Sequence, residues 1–264
     1  MKRLPRLLLL LTVLVALSLI GRAASVRSAA PATAHGDTAR VHVGAADKGT
    51  DAFVAWPPGK GPFPAVVVAF EYWGLNSQIR DIGLRLAQQG YVAVIPDLYH
   101  GQVAGDPESA HILMRGLDQD GAVGDMTAAM DWAASQSKVV PQKIGLLGFC
   151  MGGGVALQTA LASPRPAAIV MFYGAPESNA EKIAQLKAPL LGHFGEEDKG
   201  IDPQRVEAFK TALQGAGKKA EIYEYSGAGH AFMNETGQGY RPDAAKLAWA
   251  RTLAFYQKNL RGSK

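Results

Sequence analysis

Ile144-Gly145-Leu146-Leu147-Gly148-Phe149-Cys150-Met151-Gly152-Gly153-Gly154 is an apolar strand pattern that runs straight into a glycine-spaced turn. The turn reads G-x-C-x-G, the cysteine form of the G-x-S-x-G elbow that lifts a nucleophile between a strand and a helix. Backbone on either side of the central residue must approach closely, so the flanking positions carry no side chain. The elbow holds the thiol clear of the backbone at a helix N-terminus, where partial positive charge favours a thiolate. It also aims the Met151 amide at the same space, as one donor of an oxyanion hole. No G-x-S-x-G occurs elsewhere in the chain, so no serine competes with Cys150 for the role of nucleophile.

Working outward, apolar strands alternate with amphipathic helices. Ala65–Phe70, Tyr91–Ile95, Ile144–Phe149, Ala167–Tyr173, Leu190–Phe194 and Ala220–Tyr225 read as strands, several of them continuous apolar runs of the kind buried on both faces. Helical spacing covers residues 79–87, 107–117, 121–135, 155–162, 206–213 and 244–259. Arg40–Val43 and Ala52–Trp56 form a candidate antiparallel pair ahead of a turn-rich break at Pro57–Pro62. The alternation predicts an α/β fold with a mostly parallel sheet and helices on both faces, and the elbow within it makes the expected architecture an α/β-hydrolase fold. It places the loops after Phe70, Ile95, Phe149, Phe194 and Tyr225 on one rim, where sites in such sheets lie.

A thiol nucleophile needs a base, and the base needs an orienting acid. In this fold the chain order is nucleophile, acid, histidine. His35, His42, His100 and His111 precede Cys150, and His193 falls inside a strand, as a packed histidine would. His230, in the loop Ser226-Gly227-Ala228-Gly229-His230-Ala231-Phe232, is the base by elimination. The acid comes from Gly195-Glu196-Glu197-Asp198-Lys199-Gly200-Ile201-Asp202; Asp198 is preferred for its place in the turn, with Glu197 and Asp202 as alternatives.

Composition is that of a chain with a full core: 48% apolar and 19% charged. Lys2, Arg3 and Arg6 precede an apolar run from Leu7 to Ile20, and small residues follow at 21–23 and 32–34. This order predicts a signal peptide over 1–23, with cleavage after Ala23 or as late as Ala34, and a periplasmic or secreted protein. Left uncleaved, the run would be a membrane anchor. Residues 24–39 form a flexible lead-in rich in Ala, Ser, Pro and Thr, and residues 40–264 a single domain. The formal charge of +4 falls near zero once the four basic residues of 1–23 are removed, so no nucleic-acid partner is expected. One cysteine allows no internal disulfide.

Taken together, these segments resemble the dienelactone hydrolase family. The resemblance spans roughly Ala65 to Leu260 and rests on Phe70-Glu71-Tyr72-Trp73-Gly74-Leu75-Asn76, Gly90-Tyr91-Val92-Ala93-Val94-Ile95-Pro96-Asp97-Leu98-Tyr99, the elbow, the Asp198 turn and Gly229-His230-Ala231-Phe232. It implies that Glu71 sits beside the nucleophile and influences its ionisation; from the residues alone, a solvated carboxylate at a strand end is an equal reading. It implies Tyr72 as the second amide of the oxyanion hole. It also implies arginines that grip a substrate carboxylate after Tyr99 and after the histidine, positions where this chain has His100-Gly101-Gln102 and Ala231-Phe232-Met233-Asn234. Arg80, Arg115 and Arg241 are the candidates to replace them. Trp73, Tyr99, His100, Phe232 and Asn234 are expected to line the substrate pocket.

The resulting expectation is a hydrolase that opens an ester or lactone of a small molecule through Cys150, with no cofactor and no metal. The name reaction of the family converts carboxymethylenebutenolide to maleylacetate. An exported esterase with a different carboxylic ester is the first alternative, and a catalytically silent binding module on the same fold the second.

Overall fold

A computed structural model describes residues 36–262. The expected signal peptide at 1–23, and the lead-in as far as residue 35, lie outside the described residues. The end of the expected lead-in is not loop. Strand β1 (Thr38–Val43) starts inside it and pairs antiparallel with β2 (Thr50–Ala55). Ladder hydrogen bonds come from backbone, so Thr38 and Ala39 join the sheet without apolar side chains to announce them.

Six further strands are β3 (Phe63–Ala69), β4 (Val92–Pro96), β5 (Val139–Phe149), β6 (Ala168–Phe172), β7 (Leu190–Gly195) and β8 (Ala220–Tyr225). The eight form one sheet in the order β1-β2-β4-β3-β5-β6-β7-β8. β1 and β2 are the antiparallel edge, and β3 to β8 run parallel. The helices are α1 (Ser77–Gln88), α2 (Pro107–Gly116), α3 (Gln119–Ser135), α4 (Met151–Ala162), α5 (Ala180–Ala184), α6 (Pro203–Gly215) and α7 (Pro242–Tyr256), the last ending in a π turn at Gln257–Arg261. The sheet reverses its winding at β3, which has β4 on one side and β5 on the other. Ligand crevices in open parallel sheets form at such a reversal, beyond the carboxyl ends of the strands. Here those ends deliver Glu71 and Cys150.

Helices cover both faces, as alternation along β5 shows. Residues an odd number apart in a strand point to opposite faces. A Cβ built on Gly145 would meet Tyr256 and Leu260 at the end of α7, whereas one on Gly148 would meet Gly152 of α4 at 2.1 Å. The Tyr256 hydroxyl also donates to the Leu146 carbonyl at 2.7 Å, tying the C-terminal helix to the central strand.

Two elements begin at least four residues earlier than their apolar patterns predict. β5 starts at Val139, not Ile144, because its first half is paired to β3 only at Phe63 and stays partly polar. α4 starts at Met151, not Val155. Glycines 152 to 154 weaken a free helix by about 1 kcal/mol each, but Gly152 and Gly153 are buried in close contact with β3 and with the segment after β6, and packing sets the helix start. The short α5 carries too few apolar positions to show helical periodicity.

The close approach of β5 and α4 predicts a contrast between neighbouring glycines. Gly148→Ala, whose Cβ would lie 2.1 Å from the Gly152 carbonyl oxygen, is expected to destabilise by about 1–3 kcal/mol or more, lowering Tm by several degrees. Gly154→Ala, whose Cβ makes an ordinary 3.7 Å contact with Ala175, should leave Tm within ~2 °C or raise it slightly. Equal losses in thermal unfolding would contradict the packing account.

Candidate active site

Cys150 occupies the junction between β5 and α4 with φ 54° and ψ −120°, a left-handed conformation that costs a non-glycine residue about 1–3 kcal/mol. The strain is held by neighbours on both sides. The Cys150 amide donates to the Phe172 carbonyl at 3.0 Å, and the Gly152 amide to the Phe70 carbonyl at 3.1 Å. Gly152 itself lies so near β3 that a Cβ would meet the carbonyl oxygens of Ala69 and Phe70 at 2.4 Å. Only glycine lets α4 start here.

His230 reaches this thiol from the loop after β8. Its Nε2 lies 3.1 Å from Cys150 Sγ, and its Nδ1 lies 2.7 Å from Asp198 Oδ2. Asp198 is buried in the turn after β7, where its Oδ1 accepts from the amides of Gly200 and Ile201 at 2.8 and 3.0 Å. One carboxylate oxygen is thus fixed by the turn and the other is left for the imidazole. The alternatives are placed elsewhere: Glu197 is exposed, and Asp202 caps α6 by accepting from the Arg205 amide at 3.0 Å. Burial alone would raise Asp198, but His230 and the two amides outweigh it and hold the carboxyl below its ordinary pKa. Burial would likewise lower His230, yet its hydrogen bonds to Asp198 and Cys150, with their charges, raise it to about 10. The imidazole faces a sulfur on one side and a carboxylate on the other, and both favour its protonated form.

Glu71, at the end of β3, is 4% exposed. The Tyr173 hydroxyl donates to its Oε1 at 2.9 Å and Asn234 Nδ2 to its Oε2 at 2.5 Å. Burial raises its pKa against the lowering effect of both hydrogen bonds and of the His230 charge. Of the two readings left open for Glu71, a solvated strand end is excluded. Among the described residues, neither the Tyr72 nor the Met151 amide donates a hydrogen bond to a backbone carbonyl or a side chain, which leaves both available to an oxyanion.

The pocket residues separate into three groups. Trp73 is half-buried with its ring 4.6 Å from that of Tyr72, which in turn lies 5.2 Å from the His111 ring of α2. Tyr99 and Phe232 are buried supports: the Tyr99 hydroxyl donates to Met151 Sδ at 3.1 Å, and Phe232 packs against Phe172 and Tyr173. Asn234 is the clamp on Glu71. His100 is not brought to the group. Its φ of 50°, with Asp97 Oδ2 accepting from the Gly101 amide at 2.8 Å, turns the chain so that the imidazole is exposed and faces Asp125 of α3 at 3.6 Å. It borders a separate cavity of about 390 Å³ with Leu98, Ile112 and Leu117. The Asp97 carboxylate is used up by that turn, accepting from the Tyr99 amide as well.

Sequence reasoning missed Tyr173 and set His111 aside. Tyr173 ends a buried apolar run and was legible only as strand; its φ of 39° is what turns the hydroxyl to Glu71. His193 does pack in the core, 2.8 Å from the Tyr225 hydroxyl and 3.1 Å from Thr252 Oγ1, with burial and the Arg251 charge lowering it to about 3.

Comparison with known proteins bears on the family and the fold. The model of the dienelactone hydrolase family matches residues 50–260. A protein of Bradyrhizobium sp named "Probable 2-oxo-3-(5-oxofuran-2-ylidene)propanoate lactonase" is 33% identical over 237 residues, covering 85% of this chain and 95% of its own. A carboxymethylenebutenolidase of Pseudomonas putida is 34% identical over 207 residues, covering 75% of this chain and 87% of its own. A solved structure from Klebsiella pneumoniae, named "Putative Dienelactone Hydrolase", superposes with a TM-score of 0.78 at 29% identity over 84% of this chain and 98% of that one. With a family match spanning most of the chain, and relatives above 30% identity over most of its length, the chain belongs to the dienelactone hydrolase family, on an α/β-hydrolase fold.

Proposed function

We propose that this protein hydrolyses a carboxylic ester or lactone with Cys150 as the nucleophile, His230 as the proton carrier and Asp198 as its orienting acid. The observation that carries the reading is the continuous Cys150–His230–Asp198 chain at 3.1 and 2.7 Å, set on a strained elbow beside two unengaged amides. Cys150 Sγ attacks the carbonyl carbon as a thiolate, and the carbonyl oxygen takes up negative charge between the Tyr72 and Met151 amides. His230 Nε2 gives its proton to the departing alkoxide, which stays attached in a lactone and leaves in an ester. The acyl group is then a thioester on Cys150. His230, now neutral, takes a proton from water as it attacks, and collapse returns the acid product and the thiolate. Asp198 holds Nδ1 throughout and supports the imidazolium.

Replacement should follow these roles. With a 4-nitrophenyl ester, Cys150→Ala and His230→Ala are each expected to lower kcat by about 10²–10⁴ or more with Tm unchanged within a few degrees. Wild-type levels of nitrophenolate release in Cys150→Ala would rule out the thiol route.

Titration of the pair supplies a second expectation. The folded His230 value of about 10 lies above the unfolded reference of 6.5. Its contribution to stability is therefore complete below about pH 6.5 and is lost as pH rises through about 10. In urea unfolding, the stability gap between wild type and Asp198→Asn should shrink steadily from pH 6 to pH 10. A gap that widens over that range would contradict the assignment.

Residues 1–23 support an additional proposal, that the mature chain is exported. Cell fractionation should recover it outside the cytoplasm with an N-terminus after residue 23 or residue 34; full-length cytoplasmic protein would contradict this.

A further inference from the structure

We infer that the cavity between α2 and the loop after β4 is a binding site, distinct from the Cys150 centre, for a small neutral alcohol with an apolar chain. The cavity measures about 390 Å³ and is bordered by the loop at 98–102, the second half of α2 and the start of α3. An apolar cavity of ~150 Å³ is already enough to hold benzene. Leu98, Tyr99 and Ala122 give it a buried, apolar floor. Half-buried Leu113 and Leu117 continue that surface toward α2.

Ile112 carries the reading furthest. At 58% it is the most exposed of the large apolar side chains among the described residues, and it stands on the border of this cavity. A scattered apolar side chain at the surface is ordinary, but one beside an unfilled apolar cavity extends a surface that a ligand chain can cover. The helix that carries it buries only Ala110, so α2 arches over the cavity without filling it. Polar groups stand at the mouth, where His100, Gln102 and Asp118 are exposed. The Asp118 side chain makes no capping hydrogen bond to α3. A hydroxyl both donates and accepts, so it can give its proton to Asp118 and accept from the Gln102 amide. No lysine or arginine borders the cavity, which leaves an anionic head group unpaired beside Asp118. Nor do Cys150, His230 or Asp198 border it. Tyr99 is the shared neighbour: it borders the cavity while its hydroxyl donates to Met151 Sδ at 3.1 Å.

Calorimetric titration with 1-octanol tests the site, on native protein and on protein whose Cys150 has been alkylated with iodoacetamide. Binding is read without turnover, so its outcome stands apart from the proposed hydrolysis. One octanol per chain is expected before and after alkylation, with affinity about tenfold or more above that of 1-butanol because the added methylenes leave water. Gly116 borders the cavity and a Cβ there would meet nothing within 4 Å, so Gly116→Trp should keep its Tm within a few degrees and lose octanol binding. Ile112→Ser, at an exposed position, should weaken binding severalfold. Absence of binding, or equal affinity for the two alcohols, would overturn the inference. Binding abolished by alkylation would place the alcohol at Cys150 and overturn it too, as would unchanged binding in both variants.

Discussion

The contact between the end of β5 and the start of α4 sets the terms for everything around it. Cys150 can sit at φ 54° only because Gly148 and Gly152 let two backbones meet with no side chain between them. The same contact buries α4 against β3 and β5, starts the helix directly after the thiol, and leaves the Met151 amide without a partner. Packing energy from the largely apolar sheet holds a strained residue in place, and the strain presents the sulfur to His230.

Around that junction the site is assembled from five chain segments, and each is fixed by a different device. The turn after β7 holds Asp198 by two amides; the loop after β8 hangs His230 between Asp198 and the sulfur; the end of β3 buries Glu71. Beneath them, Tyr99 props Met151 and Tyr173 props Glu71. Two buried carboxyls, Asp198 and Glu71, thus belong to the site, and the His230 imidazole lies between Asp198 and the thiol. The hydrogen bonds and charges of Asp198 and Cys150 raise His230 against the effect of its burial.

Much of this was legible in the sequence, for reasons that differ by residue. The buried strands show because a parallel sheet covered on both faces demands continuous apolar runs. The elbow shows because its glycines are sterically required, and His230 shows because chain order excludes four of the other histidines and a strand pattern claims His193. Asp198 was separable from Asp202 only once Asp202 was seen capping α6. Side-chain direction was beyond reach. His100 was placed in the pocket from its position in the loop, but a left-handed backbone turns it toward Asp125. Phe232 is equally apolar in a pocket wall or a core, and Tyr173 turns to Glu71 through a backbone angle that no local pattern signals.

The central claim is that the acyl group passes through a thioester on Cys150. Intact-protein mass spectrometry of enzyme quenched in acid during turnover of a 4-nitrophenyl ester addresses it directly. The account predicts one added acyl group per chain, mapped to the Cys150 peptide and removed by hydroxylamine. An acyl group found on a serine or histidine instead would contradict it, as would steady turnover by enzyme whose Cys150 has been fully alkylated.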